Sequence, residues 1–187
     1  SIFKVELNLI ADAGLIGLPN AGKSSLLNAL TRANAKVGAY AFTTLDPNLG
    51  ALAGGYILAD IPGLIEGAAE GKGLGHKFLR HVKRTKALFH LVSLENEDVE
   101  AVYSGIRKEL EKYGNGLTEK KEVIVLSKTD LVDADTVVRA RDELSKHGND
   151  ILDVTILDDD SVKKFGDKVQ QLLQKMRVEV PENTDIA

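Results

Sequence analysis

The chain has 187 residues, 43% hydrophobic and 28% charged, with a net charge of -4. That size and composition fit one ordinary folded domain with a core large enough to need no covalent staple. They exclude a disordered chain, and the mild acidity excludes a uniformly basic nucleic-acid binder, so any contact with nucleic acid must be local. The absence of cysteine excludes disulfides and thiolate ligands and is compatible with a reducing compartment; a cytoplasmic protein is expected. No apolar run approaches the roughly 20 residues of a membrane span.

In chain order, the run ADAGLIGL reads as a strand and SSLLNALT as the helix after it. NLGALA and YILADI, separated by Gly54 and Gly55, read as a hairpin. ALFHLVSL, EVIVLS and ILDVTI then read as strands, each followed by a helical pattern, at residues 98–112, 134–146 and 161–176. Strands alternating with helices predict an α/β fold of three layers, α/β/α, around a mostly parallel sheet with one antiparallel edge strand. In such sheets ligands sit at the carboxyl ends of the strands.

Residues 17–24, GLPNAGKS, satisfy the phosphate-loop pattern between a strand and a helix. Gly17 and Gly22 let backbone amides turn inward around phosphates, Lys23 is placed to reach the β and γ phosphates, and Ser24 to ligate Mg²⁺. Asp60 ends YILADI, where a carboxylate can hold a magnesium-bound water, and Gly63 is placed to give its amide to the γ phosphate. By itself this Asp-Pro-Gly cluster is also an ordinary turn signal. Between them, AFTTLDPNLG offers Thr43 and Thr44 in a segment without periodicity, where a threonine can reach the metal while triphosphate is present. SKTD, residues 127–130, follows EVIVL; Asp130 can accept from N1 and N2 of guanine, a pattern adenine lacks, with Lys128 along the base plane.

GLPNAGKSSLLNALT, YAFTTLDPNLG, ADIPGLIEGAAEGKGLGHKFLRHVKRT and KTD together resemble the Obg family, GTPases of the translation-factor-related class. The likeness covers about residues 8–132 closely and the remainder loosely. It implies a P-loop NTPase that binds GTP and GDP with Mg²⁺. The matching positions are Ser24 and Thr44 as metal ligands, Lys23 as the phosphate lysine, Asp60 as the water-mediated anchor and Asp130 as the guanine reader. The expected nucleotide shell is Gly17, Pro19, Asn20, Ala21, Gly22, Lys23, Ser24, Ser25, Phe42, Thr43, Thr44, Asp60, Gly63, Ser127, Lys128, Asp130, Thr155 and Ile156. The resemblance also implies a larger protein: residues 1–11 are expected to be a junction from a preceding glycine-rich domain, 12–177 the G domain and 178–187 a tail or linker.

Two places depart from the family pattern. Ser127 stands where asparagine is usual; losing the bond that braces the base pocket against the phosphate loop costs about 1–3 kcal/mol if a buried partner is left unpaired, and the alternative is that water or the serine hydroxyl recovers part of it. The last guanine motif has no clear counterpart; VTI at 154–156 is its best placement, with Thr155 and Ile156 acting through the backbone.

Leu64, after DIPG, cannot orient a water as glutamine does, so hydrolysis is expected to be slow; even glutamine-bearing switches turn over at about 10⁻⁴ per second unaided. In GTPases resembling this one, an asparagine at the place of Asn20 marks proteins that bind K⁺ beside the phosphates; the alternative is that Asn20 only stabilises the loop turn. Arg32, at the end of the first helix, reads as a surface residue rather than a finger. From Gly71 to Leu94 the chain carries six lysines and arginines, with His76, His81 and His90 and no acid. Such a run is either a solvated face or an RNA contact, and the family likeness implies the large ribosomal subunit, RNA and protein, as partner of the full-length protein. The histidines lack metal spacing and read as packing or surface groups. The expected catalytic set is Lys23, Thr44, Gly63 and Asn20. The expected function is a slow GTPase switch, in large-subunit assembly or stress signalling, monomeric as an isolated domain. The alternatives are a nucleotide-sensing scaffold with little turnover and, less well supported for want of an arginine-rich lid, a P-loop kinase.

Overall fold

The computed structural model of the chain describes residues 11–34, 49–61, 85–114 and 116–179. Phe42, Thr43, Thr44, Gly63, Leu64, the side chain of Arg32 and the basic segment up to residue 84 lie outside the described residues, as do the expected junction up to residue 10 and the tail from residue 180.

The described strands are β1 (Ala13–Gly17), β2 (Leu49–Ala51), β3 (Ile57–Asp60), β4 (Ala87–Ser93), β5 (Lys121–Ser127) and β6 (Asp150–Val154). The helices are α1 (Lys23–Asn34), α2 (Val99–Tyr113), α3 (Ala134–Ser145) and α4 (Asp159–Glu179). The strands form one sheet in the order β2-β3-β1-β4-β5-β6. β2 is antiparallel to β3 and every other pair is parallel, as the sequence predicts. The β2–β3 turn closes with Leu52 donating to the Tyr56 carbonyl at 2.8 Å, and Gly54 and Gly55 hold φ of 85° and 83°, where a side chain would be strained.

β1 and β4 are buried along their whole length, which is why they read as continuous apolar runs rather than as alternating ones. One face of the sheet carries Leu15, Phe89, Leu91, Val123 and Val125 against Leu26 and Leu30 of α1 and Val162, Phe165, Val169 and Leu173 of α4. Phe89 and Phe165 meet edge to face at 6.4 Å. On the other face, Leu88 packs with Ile106 and Leu110 of α2, and Val92, Ile124 and Leu126 with Tyr103 of α2 and Ala140 and Leu144 of α3. Each such side chain contributes about 1.5–3 kcal/mol when fully buried, so the two faces together hold the strand ends in register.

Helix limits follow from caps. Asp98 accepts from the Ala101 amide at 2.8 Å to start α2, and Asp133 accepts from Thr136 at the same distance to start α3. α4 runs past the predicted 161–176 at both ends; Asp159 and Asp160 in its first turn and Arg177 in its last match the helix dipole.

Candidate functional site

The carboxyl ends of β1 and β3 and the start of α1 build one half of the site. β1 ends at Gly17, where an added Cβ would lie 2.7 Å from the Leu91 carbonyl of β4, at a φ of 149°. Only glycine lets the chain turn off the strand this close to its neighbour. The loop then closes with Ala21 donating to the Leu18 carbonyl at 3.0 Å, and Ala21 is buried against the core while Pro19 and Asn20 are exposed. Gly22, with φ 93°, leads into α1, whose own first turn contains no acidic residue.

Lys23 is buried, and its Nζ donates to the carbonyls of Gly17 and Leu18 at 3.0 Å each. Burial pushes its pKa down, partly opposed by the nearby Asp60 charge. The Ser24 hydroxyl donates to Asp60 Oδ2 at 2.5 Å, while Asp60 Oδ1 is buried with no hydrogen-bond partner among the described residues. A buried carboxylate oxygen without a donor is costly, and a hard cation with its water shell is the kind of group that satisfies it. The residues present therefore fit Mg²⁺, with Ser24 and Asp60 on its side of the loop. Among the described residues no cluster of three His, Cys, Asp or Glu could hold a metal by itself. Ser25 is exposed in the first turn of α1.

The other half of the site lies at the ends of β5 and β6. Ser127 ends β5, and its hydroxyl donates to the Ala21 carbonyl at 2.8 Å in a buried bond across 106 positions of sequence. Of the two outcomes open for serine, a lost brace or one recovered by its hydroxyl, the structure has the second: the phosphate loop comes close enough to β5 for the short side chain to span the gap. Lys128 follows in the left-handed region, φ 60° and ψ 42°, the one non-glycine residue with positive φ among the described residues. That conformation turns the chain sharply off the strand, and Lys128 Nζ meets Glu95 at 2.5 Å. The hydrogen bond from Lys128 holds the Glu95 carboxyl below its ordinary range.

Asp130, in the 3₁₀ turn Thr129–Leu131, accepts a hydrogen bond from the Thr155 hydroxyl at 2.6 Å. The Thr155 amide instead donates to Ser161 Oγ at 3.0 Å, so Thr155 contributes its side chain to this site and its backbone to the start of α4. Ile156 is 44% exposed and the neighbouring Leu157 77%, an apolar lip beside the carboxylate. Gly17 to Ser25, Asp60, Ser127, Lys128, Asp130 and Thr155 thus gather along the carboxyl edge of the sheet. Sequence reading missed Glu95 and Ser161. Glu95 lies just past the carboxyl end of β4, a position that marks ligand residues in such sheets; Ser161 carries no comparable signal.

His90 is a packing group, one of the two readings the sequence left open. It is fully buried in β4, with Nδ1 2.8 Å from Glu122, and burial pushes its pKa down.

A mostly parallel sheet with a phosphate loop after its first strand, a carboxylate at the end of β3 and a carboxylate after β5 defines a P-loop GTPase. The model of the 50S ribosome-binding GTPase family matches residues 12–128. GTPase Obg of Picosynechococcus sp. is 49% identical over 177 residues, which cover 92% of this chain and 48% of that protein. GTPase Obg of Desulfatibacillum aliphaticivorans is 55% identical over 139 residues, 71% of this chain and 41% of that protein. A variant of SsGBP shares the fold with a TM-score of 0.66 at 21% identity, covering 94% of this chain and 59% of that one. A variant of Era from Aquifex aeolicus bound to GDP and AlF4⁻ does so at 0.58 and 17%, covering 87% and 55%. The chain belongs to the Obg family of GTPases, and it spans about half the length of the curated relatives it matches.

Proposed function

We propose that residues 12–177 form the G domain of a larger Obg-type protein, a switch that binds GTP and GDP with Mg²⁺ and hydrolyses GTP slowly unless helped. The observation that carries this reading is the Ser24–Asp60 pair, with its orphaned Asp60 oxygen, set beside the buried Lys23 at the head of α1. Phosphate would offer the Lys23 ammonium full negative charge in place of two carbonyl dipoles, and the α1 amides would add their partial charges. Ser24 and Thr44, and through water Asp60, would hold Mg²⁺, whose charge would stabilise the β and γ phosphates.

Gly17, Pro19, Asn20, Ala21, Gly22 and Ser25 then form the phosphate cradle, with Phe42, Thr43, Thr44 and Gly63 as the segments that respond to the γ phosphate. Asp130 reads guanine N1 and N2, Thr155 holds that carboxylate in place, and Ile156 lines the edge of the base. Lys128, fixed by Glu95, lays its stem along the base plane. Asp130 carries no side-chain amide, so a base offering an acceptor at N1 leaves its carboxylate unpaired.

Leu64 has no donor or acceptor, and no side chain of the described residues is placed as a general base. K⁺ beside Asn20, or an activating partner, is the proposed source of the missing electrostatics. The matched family's description names 50S ribosome binding, and we carry this to the chain as its proposed partner, reached through the full-length protein, in large-subunit assembly or stress signalling in the cytoplasm. Among the described residues no helix is long and apolar enough to cross a membrane. The domain by itself is proposed to be a monomer.

The test is a titration with GDP and with ADP in Mg²⁺ and K⁺, followed by GTP consumption in K⁺ and in Na⁺. A GDP preference of at least about 100-fold, the size expected when a buried hydrogen-bonding group is left unpaired, and turnover faster in K⁺ are the expected results. Equal binding of GDP and ADP would sink the base-reading role of Asp130. Tight GTP binding without hydrolysis in either salt would establish the sensing scaffold instead.

A further inference from the structure

Asp130 is exposed on the short 3₁₀ turn Thr129–Leu131, where an aspartate side chain is free to rotate unless something holds it. The Thr155 hydroxyl does so, donating to Asp130 Oδ1 at 2.6 Å. Thr155 Oγ1 also accepts from the Leu157 amide at 3.2 Å, which engages one of its lone pairs and leaves its hydrogen for the carboxylate. The direction of Asp130 therefore depends on the direction of Thr155.

Val154, 2% exposed, ends β6 and fixes where Thr155 begins, but the next three residues, Ile156 to Asp158, are exposed and gain little from packing. Their backbone is held from α4 instead. The Thr155 amide donates to Ser161 Oγ at 3.0 Å. Asp158 accepts from the Asp160 amide through Oδ1 at 3.0 Å and from the Val162 amide through its carbonyl at 3.1 Å. Ser161 is half-buried in the first turn of α4, and the residue after it, Val162, is 4% exposed in the core with Phe165 and Val169. The core thus fixes the Ser161 oxygen at a distance of one residue, and that oxygen sets the plane of the Thr155 peptide.

We propose that Ser161 is a positioning residue for guanine recognition: it holds the Thr155 amide so that the Thr155 hydroxyl keeps the Asp130 carboxylate turned toward N1 and N2 of the base. Ser161 acts only through Asp130, so this role rests on the reading of Asp130 as the guanine reader. With its amide engaged by Ser161, Thr155 serves the base through its hydroxyl and the carboxylate behind it. Removing the Ser161 oxygen lets water take the Thr155 amide in a half-buried loop, which costs folding little but releases the direction of the brace.

The experiment titrates the whole chain, in Mg²⁺, with GDP, with ADP and with inosine diphosphate, which lacks the N2 amine. Parent, Ser161→Ala and Ser161→Thr are compared. The net value of one neutral hydrogen bond corresponds to about three- to tenfold in affinity, and a misdirected carboxylate forfeits the bond to N2 first. Ser161→Ala is therefore expected to lower the ratio of GDP to inosine diphosphate affinity at least about threefold, and Ser161→Thr, which keeps the oxygen, to restore it. A role confined to folding would weaken both nucleotides together and leave the ratio alone. If the parent prefers GDP to ADP but the ratio is unchanged in Ser161→Ala, or Ser161→Thr behaves as Ser161→Ala does, the Ser161 role is overturned while the base reading stands. A parent chain that binds GDP and ADP equally overturns the base reading itself, and the Ser161 role with it.

Discussion

Ser127→Ala isolates the bond that joins the two halves of the nucleotide site. The wild-type hydroxyl donates to the Ala21 carbonyl at 2.8 Å, with Ser127 5% exposed and Ala21 1% exposed. Alanine removes the donor and leaves an interior carbonyl that water reaches poorly, so the loss exceeds the net value of an average hydrogen bond and is about 1–3 kcal/mol. The bond spans the phosphate loop and the base strand, so the loss divides between folding and ligand binding. Urea unfolding of the nucleotide-free variant is expected to show about 1–2 kcal/mol lower stability at unchanged m, and GDP titration a further loss of up to about tenfold, which is about 1.4 kcal/mol. Wild-type stability and wild-type GDP affinity together in Ser127→Ala would refute the reasoning, because the brace would then carry no free energy in either state.

Asp60→Asn keeps an acceptor for Ser24 but removes the charge that the orphaned oxygen presents, so Mg²⁺ is expected to enhance GDP binding at least about tenfold less than in the parent; an undiminished Mg²⁺ effect in the variant would contradict the metal assignment. Glu122→Ala strands Arg107 and His90 and is expected to cost about 3 kcal/mol in chemical denaturation, whereas a loss within 0.5 kcal/mol, the typical surface range, would show that the network is idle. For Glu100, burial pushes the carboxyl up, but hydrogen bonds from His147, Ser104 and Lys146 outweigh it and hold the pKa at about 2 against an ordinary 4.5. A depressed carboxylate stabilises the fold above its unfolded pKa and loses that contribution as pH falls through the folded one. Stability is therefore expected to decline between pH 4.5 and 2, and Glu100→Gln to flatten that limb of a urea-midpoint profile; an equally steep limb in the variant would assign the decline to other groups.

Much of this protein could be read along the chain because the relevant interactions are local. Phosphate binding depends on contiguous residues, GLPNAGKS, whose glycines, lysine and hydroxyl act within one strand-loop-helix unit. The strands were legible for a related reason: parallel strands buried on both faces must be apolar throughout, and the hairpin carries its own Gly54-Gly55 turn. Helix ends were less legible, since α4 begins and ends by dipole and side-chain effects that the hydrophobic period does not mark.

What needed the tertiary structure is every contact between residues distant in sequence. Whether Ser127 could replace a longer side chain depended on the gap to Ala21, 106 positions away, and packing of β5 beside β4 and β1 closes that gap. The Thr155 hydroxyl reaches Asp130, 25 positions away, only because β6 lies beside β5. Glu122, Arg107, His90 and Tyr103 carry no shared motif, being drawn from three separate elements, and only the pairing of β4 with β5 under α2 brings them together. Sequence encodes the chemistry that neighbours along the chain perform together, while distances across the sheet follow from side-chain volumes summed over the whole core, which no single stretch of the chain contains.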